Sequence, residues 1–287
     1  MINDQATNLR KKLRNQSNDV PAKTISIVSG KGGVGKSNIA VNFTLELLDQ
    51  QKKVLLFDLD VGMGNIDILL GLQATYTVID MIQQRLSIHD IVEYGPKNLA
   101  YIAGGSGATE LFSMTEADAD YFLHEYEKLQ TEYDYIIFDL GAGASNDSLF
   151  FIRASDECIV VTTPEPTSIT DAYGMIKHIV NYDQKMPIYI VMNRSTTPRS
   201  GQQAVEKFQN VVDHFLDRQV HSLGVLPDDK LVSTAVMRQT PVTILNRRSP
   251  IARSIQQMTF TYLGLPSKTS HGHLTFMQKI RQLFKER

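Results

Sequence analysis

The sequence has a single cysteine, Cys158, among its 287 residues. One thiol cannot form an intrachain disulfide or a CxxC metal site, which excludes disulfide-rich secreted folds and cysteine-ligated cluster carriers. The segment around it, "DECIVVT", has the composition of a strand that enters the core, so we predict a small buried apolar residue. Such cysteine usage is typical of a reducing cytoplasm.

Long apolar runs and a strong charge imbalance are absent as well. No run approaches the roughly 20 residues of a membrane-spanning helix, and the polar start "MINDQATNLRKKLRN" has no apolar signal core. A formal net charge of −2 provides no general attraction to nucleic acid or to anionic lipid. With 42% hydrophobic and 21% charged residues, the chain has the composition of a cytoplasmic protein with one large α/β domain.

Short apolar runs rich in Ile and Val alternate with stretches of helical period through the middle of the chain. The runs are TISIVS, KVLLFDL, LAYIAG, YIIFDL, CIVVTT, IYIVMN and SLGVLP. The helical stretches include residues 37–51, 116–129, 167–181 and 202–216. Continuous apolar runs are typical of parallel strands covered on both faces. We therefore predict an α/β fold, a doubly wound and mostly parallel sheet flanked by helices on both faces, with ligand loops at the carboxyl ends of its strands.

Composition divides the chain into three zones. Residues 1–22 form a polar and basic N-terminal arm, and residues 23–265 form the α/β domain. Residues 266–287 form a linker followed by a short tail of basic and apolar residues. The middle zone carries the nucleotide motifs, and we treat the two ends as separate binding segments.

A glycine-rich segment, "GKGGVGKS", fits the phosphate-binding pattern G-x-x-x-x-G-K-[ST]. It lies after a predicted strand and before a predicted helix, as the chemistry requires. Its glycines let backbone N–H groups approach phosphate, and the following helix directs its positive end at the same charge. We expect Lys36 on the β- and γ-phosphates and Ser37 on Mg²⁺. The predicted nucleotide-binding residues of this segment are Gly30, Gly32, Gly33, Val34, Gly35, Lys36, Ser37 and Asn38.

Two acidic loops follow predicted strands. Asp58 and Asp60 are two residues apart in "FDLDVGMGNID" and therefore project to the same side of an extended segment. Asp139 ends the strand "YIIFDL" in the position of a Walker B carboxylate, which holds Mg²⁺ through water. We assign Asp58 and Asp139 with Ser37 to the metal, and Asp60 to the attacking water. The alternative for Asp60 is a carboxylate that caps a turn.

The base of the nucleotide is expected at the ends of two later strands. Asn193 is placed to bond an adenine edge beside Arg194, and the loop of Pro227 and Asp228 is placed to cover the ring. A GTPase would show N-K-x-D, whose aspartate reads guanine. Thr196 stands where that aspartate would be, so the sequence favours ATP over GTP.

The motifs KGGVGKS, DLDVGMGNID, FDLGAG, MNR and LGVLPDD, in this order, resemble those of the deviant Walker A ATPases of the MinD/ParA group. The resemblance runs from Thr24 to about Leu265. It implies that Lys31 reaches across a two-fold dimer to the partner's ATP, so that Lys31, Lys36 and Asp60 form the catalytic set. It also implies ATP/ADP and Mg²⁺ as ligands, a homodimer in the ATP state, and slow, switch-like hydrolysis to ADP and phosphate. The alternative for Lys31 is a side chain that only faces solvent.

The tail "LTFMQKIRQLFKER" is amphipathic on a helical wheel. Its large apolar residues share one arc flanked by cations, which is typical of a helix on a membrane surface. These residues are Phe276, Met277, Ile280, Leu283 and Phe284. The alternative is core packing against the domain. Both hold if the tail docks in one nucleotide state and is released in the other, which would put the protein on the inner face of the cell membrane.

The N-terminal arm contains "DQATNLR", which resembles the D-Q-A-x-x-L-R element of the flagellar number regulators of the MinD group, the FlhG (FleN, YlxH) family. The resemblance implies a helix that docks on the GTPase FlhF and stimulates its GTP hydrolysis. The residues so implied are Asp4, Gln5, Ala6, Leu9 and Arg10. The alternative is a disordered basic arm.

The resulting hypothesis is a membrane-associated ATPase that controls flagellar number and placement through FlhF and the flagellar switch-complex (C-ring) proteins. One alternative is a ParA-type DNA-partitioning ATPase, with Arg238, Arg247, Arg248 and Arg253 as a basic patch. The amphipathic tail argues against it, so DNA is not an expected partner. Another alternative is a MinD division-site ATPase, which has no reason to carry "DQATNLR".

Overall fold

In the computed structural model of the chain, residues 21–60, 66–104, 115–265 and 275–285 are described. They form one sheet of eight strands with helices on both sides. The strands are β1 Lys23–Val28, β2 Val54–Leu59, β3 Glu93–Tyr94, β4 Ala100–Ile102, β5 Tyr135–Leu140, β6 Glu157–Thr162, β7 Ile188–Ser195 and β8 His221–Pro227. The helices are α1 Lys36–Asp49, α2 Ile66–Leu70, α3 Val78–Gln84, α4 Glu116–Leu129, α5 Asn146–Ala154, α6 Pro166–Tyr182, α7 Pro198–Leu216, α8 Lys230–Met237, α9 Val242–Leu245, α10 Pro250–Leu263 and α11 Phe276–Lys285.

The sheet has the strand order β3-β4-β2-β5-β1-β6-β7-β8. Every pair is parallel except β3 with β4, which is antiparallel at one edge. The order reverses direction around β1, so the loops after β1, β2 and β5 meet at one edge of the sheet. The register of β2 with β5 pairs Asp58 with Asp139 directly. The predicted doubly wound α/β fold is therefore confirmed.

Apolar side chains on alternate sides of the central strands fill two separate cores. Phe57 and Phe138 belong to a core that also contains residues of α4, α5, α6 and α11. Leu56 and Ile137, one residue earlier in each strand, belong to the opposite core with α1 and α10. Because both faces are covered, every residue of β2 and all but the first of β5 are buried, which explains why the sequence shows continuous apolar runs there instead of alternation.

All seven predicted apolar runs form strands. The structure adds β3, whose two residues carry too little pattern to predict from sequence. The helices over residues 36–49, 116–129, 166–182 and 198–216 match the predicted helical stretches within a few residues. Cys158 is fully buried in β6 as predicted.

The tail forms the predicted helix, α11, and it packs into the core of the domain. The Phe276 ring lies 4.7 Å from the ring of Tyr126 and 5.2 Å from that of Phe138, and Phe284 lies 5.0 Å from Phe150. Four of the five apolar residues predicted to contact lipid are buried, and Phe284 is partly buried. In this structure the protein itself therefore covers the face that was predicted to bind a membrane. Among the described residues, no helix combines the length and apolarity needed to cross a bilayer.

Several predicted features lie outside the described residues. They are the arm residues Asp4, Gln5, Ala6, Leu9 and Arg10, the glycine-containing loop at 61–65, and the linker at 266–274. The chain is described from residue 21, and the Ala22 N–H donates to the Gln130 carbonyl at 2.7 Å. The arm therefore joins the domain next to the end of α4 and the start of β1.

Phe276 of α11 packs against the rings of Tyr126 and Phe138 in the aromatic core, so we expect docking of the helix to depend on it. Phe276→Ala should cost the docked state about 3–5 kcal/mol, because a buried ring is removed from a packed cluster. An isolated helix this short is marginal in water, so release should also unfold it. We expect amide hydrogen exchange across residues 276–285 to accelerate by about tenfold or more. The matched control is the exposed neighbour Arg281→Ala, and equal exchange in the two variants would contradict this packing account.

Candidate nucleotide site

The loop between β1 and α1 has the backbone geometry of a phosphate cradle. Gly35 has a φ of 92°, in the left-handed region that a side chain disfavours. A Cβ on Gly30 would lie 2.2 Å from the backbone carbonyl of Asp171 in α6, so only glycine fits there. The first turn of α1 has no side-chain cap. Its N–H groups therefore point into the loop, as at an anion-binding helix start.

Lys36 is buried at the base of this loop, with its side chain only 5% exposed. Its Nζ donates to Asp139 Oδ1 at 2.5 Å and lies 3.8 Å from Asp60 Oδ2. A buried ammonium is stable only with such partners. The carboxylates of Asp139 and Asp60 hold the Lys36 ammonium at the position where it would contact the phosphates of a nucleotide.

Asp60 has the properties of a proton acceptor. Burial raises the pKa of its carboxyl above the ordinary value, the Lys36 ammonium opposes that rise, and the Asp139 carboxylate adds to it. A carboxylate with a raised pKa accepts a proton more readily than an ordinary aspartate does. The position of Asp60 beside Lys36 fits the predicted contact with water at the terminal phosphate.

Asp58 links the end of β2 to the start of α2. Its Oδ1 accepts the Asp60 N–H at 3.1 Å, and its Oδ2 accepts the Ile66 N–H at 3.1 Å. One buried carboxylate thus tethers both ends of the loop at 61–65. A shift at Asp58 would be transmitted to both Asp60 and α2.

A second group of predicted residues lies around a cavity of about 730 Å³ next to the loop. It is bordered by Gly35, Asn38, Asn193, Arg194, Pro227 and Asp228. Asn193 also has a structural contact, because its Nδ2 donates to the Val34 carbonyl at 2.8 Å. This bond ties the end of β7 to the phosphate loop. The prediction gave Asn193 only a contact with the base.

Lys31 lies apart from the buried group of Lys36, with its side chain 43% exposed. Its Nζ is 3.4 Å from Glu165 Oε2 and 3.3 Å from Thr167 Oγ1, at the start of α6. Sequence reasoning did not predict either partner. Both partners follow β6, which lies next to β1 in the sheet. Their place after a strand was the feature of the sequence that could have indicated a contact with the phosphate loop.

Several other residues of the cavity were missed by sequence reasoning, among them Thr163, Asp229 and Ser233. Thr163 follows β6, and its hydroxyl is buried without a hydrogen-bond partner among the described residues. Asp229 caps α8 through Oδ1, which accepts the Leu231 N–H at 2.9 Å, and its Oδ2 is also unpaired within the described chain. Ser233 is on the helix that follows. All three follow the carboxyl end of a strand, which is where the fold places its ligands.

A family model described as "ParA: NUBPL iron-transfer P-loop NTPase" matches residues 21–262. The chain is a member of the ParA/MinD family. It is 33% identical over 258 residues to "Antiactivator FleN" of Pseudomonas aeruginosa, which covers 89% of this chain and 92% of that protein. It is 32% identical over 238 residues to "Flagellum site-determining protein YlxH" of Helicobacter pylori, covering 82% and 80%.

The fold of this ParA/MinD protein is also that of a solved MinD structure. The septum site-determining protein MinD from Pyrococcus horikoshii, complexed with Mg-ADP, has a TM-score of 0.67 and 23% identity. The match covers 83% of this chain and 94% of that one. At this identity the likeness shows the fold alone.

The side chains of this ParA/MinD protein fit a magnesium ion. Asp139 Oδ2 is buried without a hydrogen-bond partner among the described residues, and the Lys36 ammonium that bonds Asp139 Oδ1 also lies 3.4 Å from the Ser37 hydroxyl. Carboxylate and hydroxyl oxygens are the hard ligands that Mg²⁺ prefers, usually together with water. A cysteine-ligated iron cluster does not fit. Cys158 is the one cysteine of the sequence, and burial raises the pKa of its thiol far above the ordinary value.

Asp139→Asn tests the central carboxylate. The amide keeps the shape but removes the charge that balances Lys36 and the oxygen that fits the metal. We expect Mg²⁺-ATP affinity to fall by about tenfold or more, the scale of a lost charged hydrogen bond. The measurement is calorimetric titration with and without Mg²⁺, with thermal unfolding to verify the fold. The control is the exposed Asp213→Asn, and unchanged Mg²⁺-ATP affinity in Asp139→Asn would contradict this assignment.

Proposed function

We propose that this ParA/MinD protein is a regulatory ATPase that controls flagellar number and placement, switching between an ADP-state monomer and an ATP-state dimer. This proposal of a switch rests on the different positions of the two lysines of the phosphate loop. Lys36 is buried against Asp139, whereas Lys31 is exposed at the start of α6. The flagellar setting is supported by similarity to FleN and YlxH and by the "DQATNLR" element of the arm.

Within one subunit, the buried residues hold and position the triphosphate of ATP. Lys36 exchanges its bond with Asp139 for the β- and γ-phosphates, and the N–H groups of the loop bind the remaining phosphate oxygens. Ser37, Asp58 and Asp139 hold Mg²⁺, which when bound neutralises the phosphate charge. Asp60 orients the attacking water and accepts its proton.

Between subunits, Lys31 supplies the second cation. Its contacts with Glu165 and Thr167 are exposed and long, so releasing it costs little free energy. A lysine donated across a two-fold axis stabilises the phosphates of the partner, as an arginine finger does. Loss of the γ-phosphate weakens that contact, so hydrolysis favours the monomer.

The tail connects this switch to the membrane. Phe276 of α11 packs on Phe138, and the next residue of β5 is Asp139 in the nucleotide site. A rearrangement of β5 on nucleotide binding therefore reaches the seat of the tail directly. We propose that α11 stays docked in the monomer and that its apolar face binds lipid in the ATP state.

The proposed partner proteins are the GTPase FlhF, which the N-terminal arm binds, and the flagellar switch-complex proteins. DNA partitioning is a weaker candidate. Of the four arginines considered for a basic patch, Arg247 is already paired, at 2.8 Å from Asp49 and 3.8 Å from Glu46. A MinD-type role at the division site stays the family-level alternative.

Two substitutions separate binding, dimerisation and hydrolysis. With ATP, Asp60→Ala should bind nucleotide and accumulate as a dimer, because hydrolysis no longer resets it. Lys31→Ala should also bind ATP but elute as a monomer, because the cation in trans is lost. Size-exclusion chromatography with light scattering measures both, and Lys207→Ala on the exposed face of α7 is the control. A monomeric Asp60→Ala variant with ATP bound would refute the switch.

The arm is tested separately from the ATPase. A peptide of residues 1–20 added to FlhF should raise its GTP hydrolysis rate severalfold, because the arm is proposed to order the catalytic groups of the partner. Phosphate release is the readout. A peptide with Gln5→Ala and Leu9→Ala is the matched control and should be inactive. If neither peptide alters the rate, the arm has no activating role.

A further inference from the structure

The helix that follows the phosphate loop, α1, contains a fully buried asparagine in its second turn, Asn42. Its neighbours Val41 and Phe43 are buried apolar residues, and asparagine is a poor helix former. Moving an amide out of water costs free energy unless its donors and acceptors find partners. An asparagine at this position therefore indicates a polar role that an apolar residue could not supply.

Backbone partners fix the orientation of the Asn42 amide. Its Oδ1 accepts the Thr243 N–H at 3.0 Å and the Thr243 hydroxyl at 2.9 Å. Its Nδ2 donates to the Asn38 carbonyl at 2.8 Å. A backbone N–H only donates and a backbone carbonyl only accepts, so the reverse orientation would face donor to donor and acceptor to acceptor. The oxygen of Asn42 therefore faces α9, and its nitrogen faces the first turn of α1.

The same nitrogen orients the side chain of Asn38. Asn42 Nδ2 donates to Asn38 Oδ1 at 3.2 Å, so the amide oxygen of Asn38 is turned toward Asn42. The amide nitrogen of Asn38 is then on the opposite side of its own amide group, and Asn38 borders the cavity beside the phosphate loop. This nitrogen has two N–H donors. Asn42 therefore sets a donor, and not an acceptor, on the side of the cavity.

The support for this arrangement is α9, which is fixed on α1. Thr243 lies in the first turn of α9, where backbone N–H groups have no partner within the helix, and the Asn42 oxygen satisfies one of them. Val242 of the same turn is buried in the core that contains α1. Arg247, just after α9, lies 2.8 Å from Asp49 at the end of α1. Because α9 is attached to α1 at these points, it keeps the Asn42 oxygen in place.

We propose that Asn42 is a positioning residue for the nucleotide: it holds the oxygen of Asn38 and so directs the Asn38 nitrogen to an acceptor atom of the bound nucleotide. Phosphate oxygens and N7 of a purine are both acceptors, so either requires a donor at this place. With its amide reversed, Asn38 would instead turn an oxygen toward the phosphate charge or the lone pair of N7. This role rests on the proposed function, since it requires that the site bind a nucleotide.

The test is a double-mutant cycle on the binding of Mg²⁺-ADP, measured by calorimetric titration. ADP is chosen because it avoids hydrolysis and the dimer that ATP is proposed to form. Asn38→Ala should weaken Mg²⁺-ADP by about tenfold, the scale of one lost hydrogen bond to a charged group. Asn42→Leu should weaken it by about threefold or more in the parent chain but no further in the Asn38→Ala chain, because residues that act through one contact are not additive.

A milder variant and a matched control separate this role from a purely structural one. Thr243→Val removes the hydroxyl bond to Asn42 and keeps the backbone bond, and it should also weaken Mg²⁺-ADP in the parent chain only. The control Thr44→Val removes another buried hydroxyl of α1, which donates to the Ala40 carbonyl, and should bind Mg²⁺-ADP normally. Thermal unfolding without nucleotide measures the structural cost of each change. Lower stability with unchanged Mg²⁺-ADP affinity in Asn42→Leu and Thr243→Val would overturn the positioning role.

A second probe, 7-deaza-ADP, identifies the acceptor atom because its ring lacks N7. If Asn38 donates to N7, the loss in Asn38→Ala disappears with this probe, and if it donates to phosphate, the full loss persists. A parent chain that binds neither nucleotide refutes the proposed function and this inference together. A parent chain that binds Mg²⁺-ADP, but in which Asn42→Leu causes the same loss with and without Asn38→Ala, refutes the positioning role alone.

Discussion

The ion pair between Lys36 and Asp139 is the contact on which the rest of the site depends. It joins the first turn of α1 to the end of β5 and buries a full positive charge in the middle of the sheet edge. A buried charge of this kind is tolerated only with a close partner of opposite sign. The pair requires β1 and β5 to be neighbours. Asp60, which directly follows the adjacent β2, lies 3.8 Å from the same ammonium.

An aromatic layer lies directly beneath these acids. Phe57 precedes Asp58 and Phe138 precedes Asp139, and their rings are 5.4 Å apart on the opposite side of their strands. Phe276 of the tail continues the layer, 5.2 Å from Phe138. Since successive residues of a strand point to opposite faces, each strand carries its acid on one face and its ring on the other, within the aromatic layer. The candidate nucleotide site and the aromatic layer under the tail, which the proposed switch connects, are therefore one residue apart along β2 and along β5.

Local pattern was enough to predict the parts of the site that are continuous in the chain. The loop around Gly35 is encoded by its own glycines, and the acids at the ends of β2 and β5 belong to apolar runs that can only be buried strands. The contacts of Glu165 and Thr167 with Lys31 were not predictable, since they join segments more than 130 residues apart. The bond from Asn193 to the Val34 carbonyl was missed for the same reason.

The doubly wound fold, the phosphate loop and an amphipathic tail could be predicted from the sequence, because each follows from the spacing of neighbouring residues. The position of that tail depends on contacts between elements that are distant in the chain. The apolar arc of Phe276, Ile280 and Leu283 would satisfy a lipid surface or a protein core equally well, since the hydrophobic effect has no direction of its own. The aromatic seat formed by Tyr126, Phe138 and Phe150 exists only after α4, β5 and α5 have come together, and it is this seat that holds α11 against the domain.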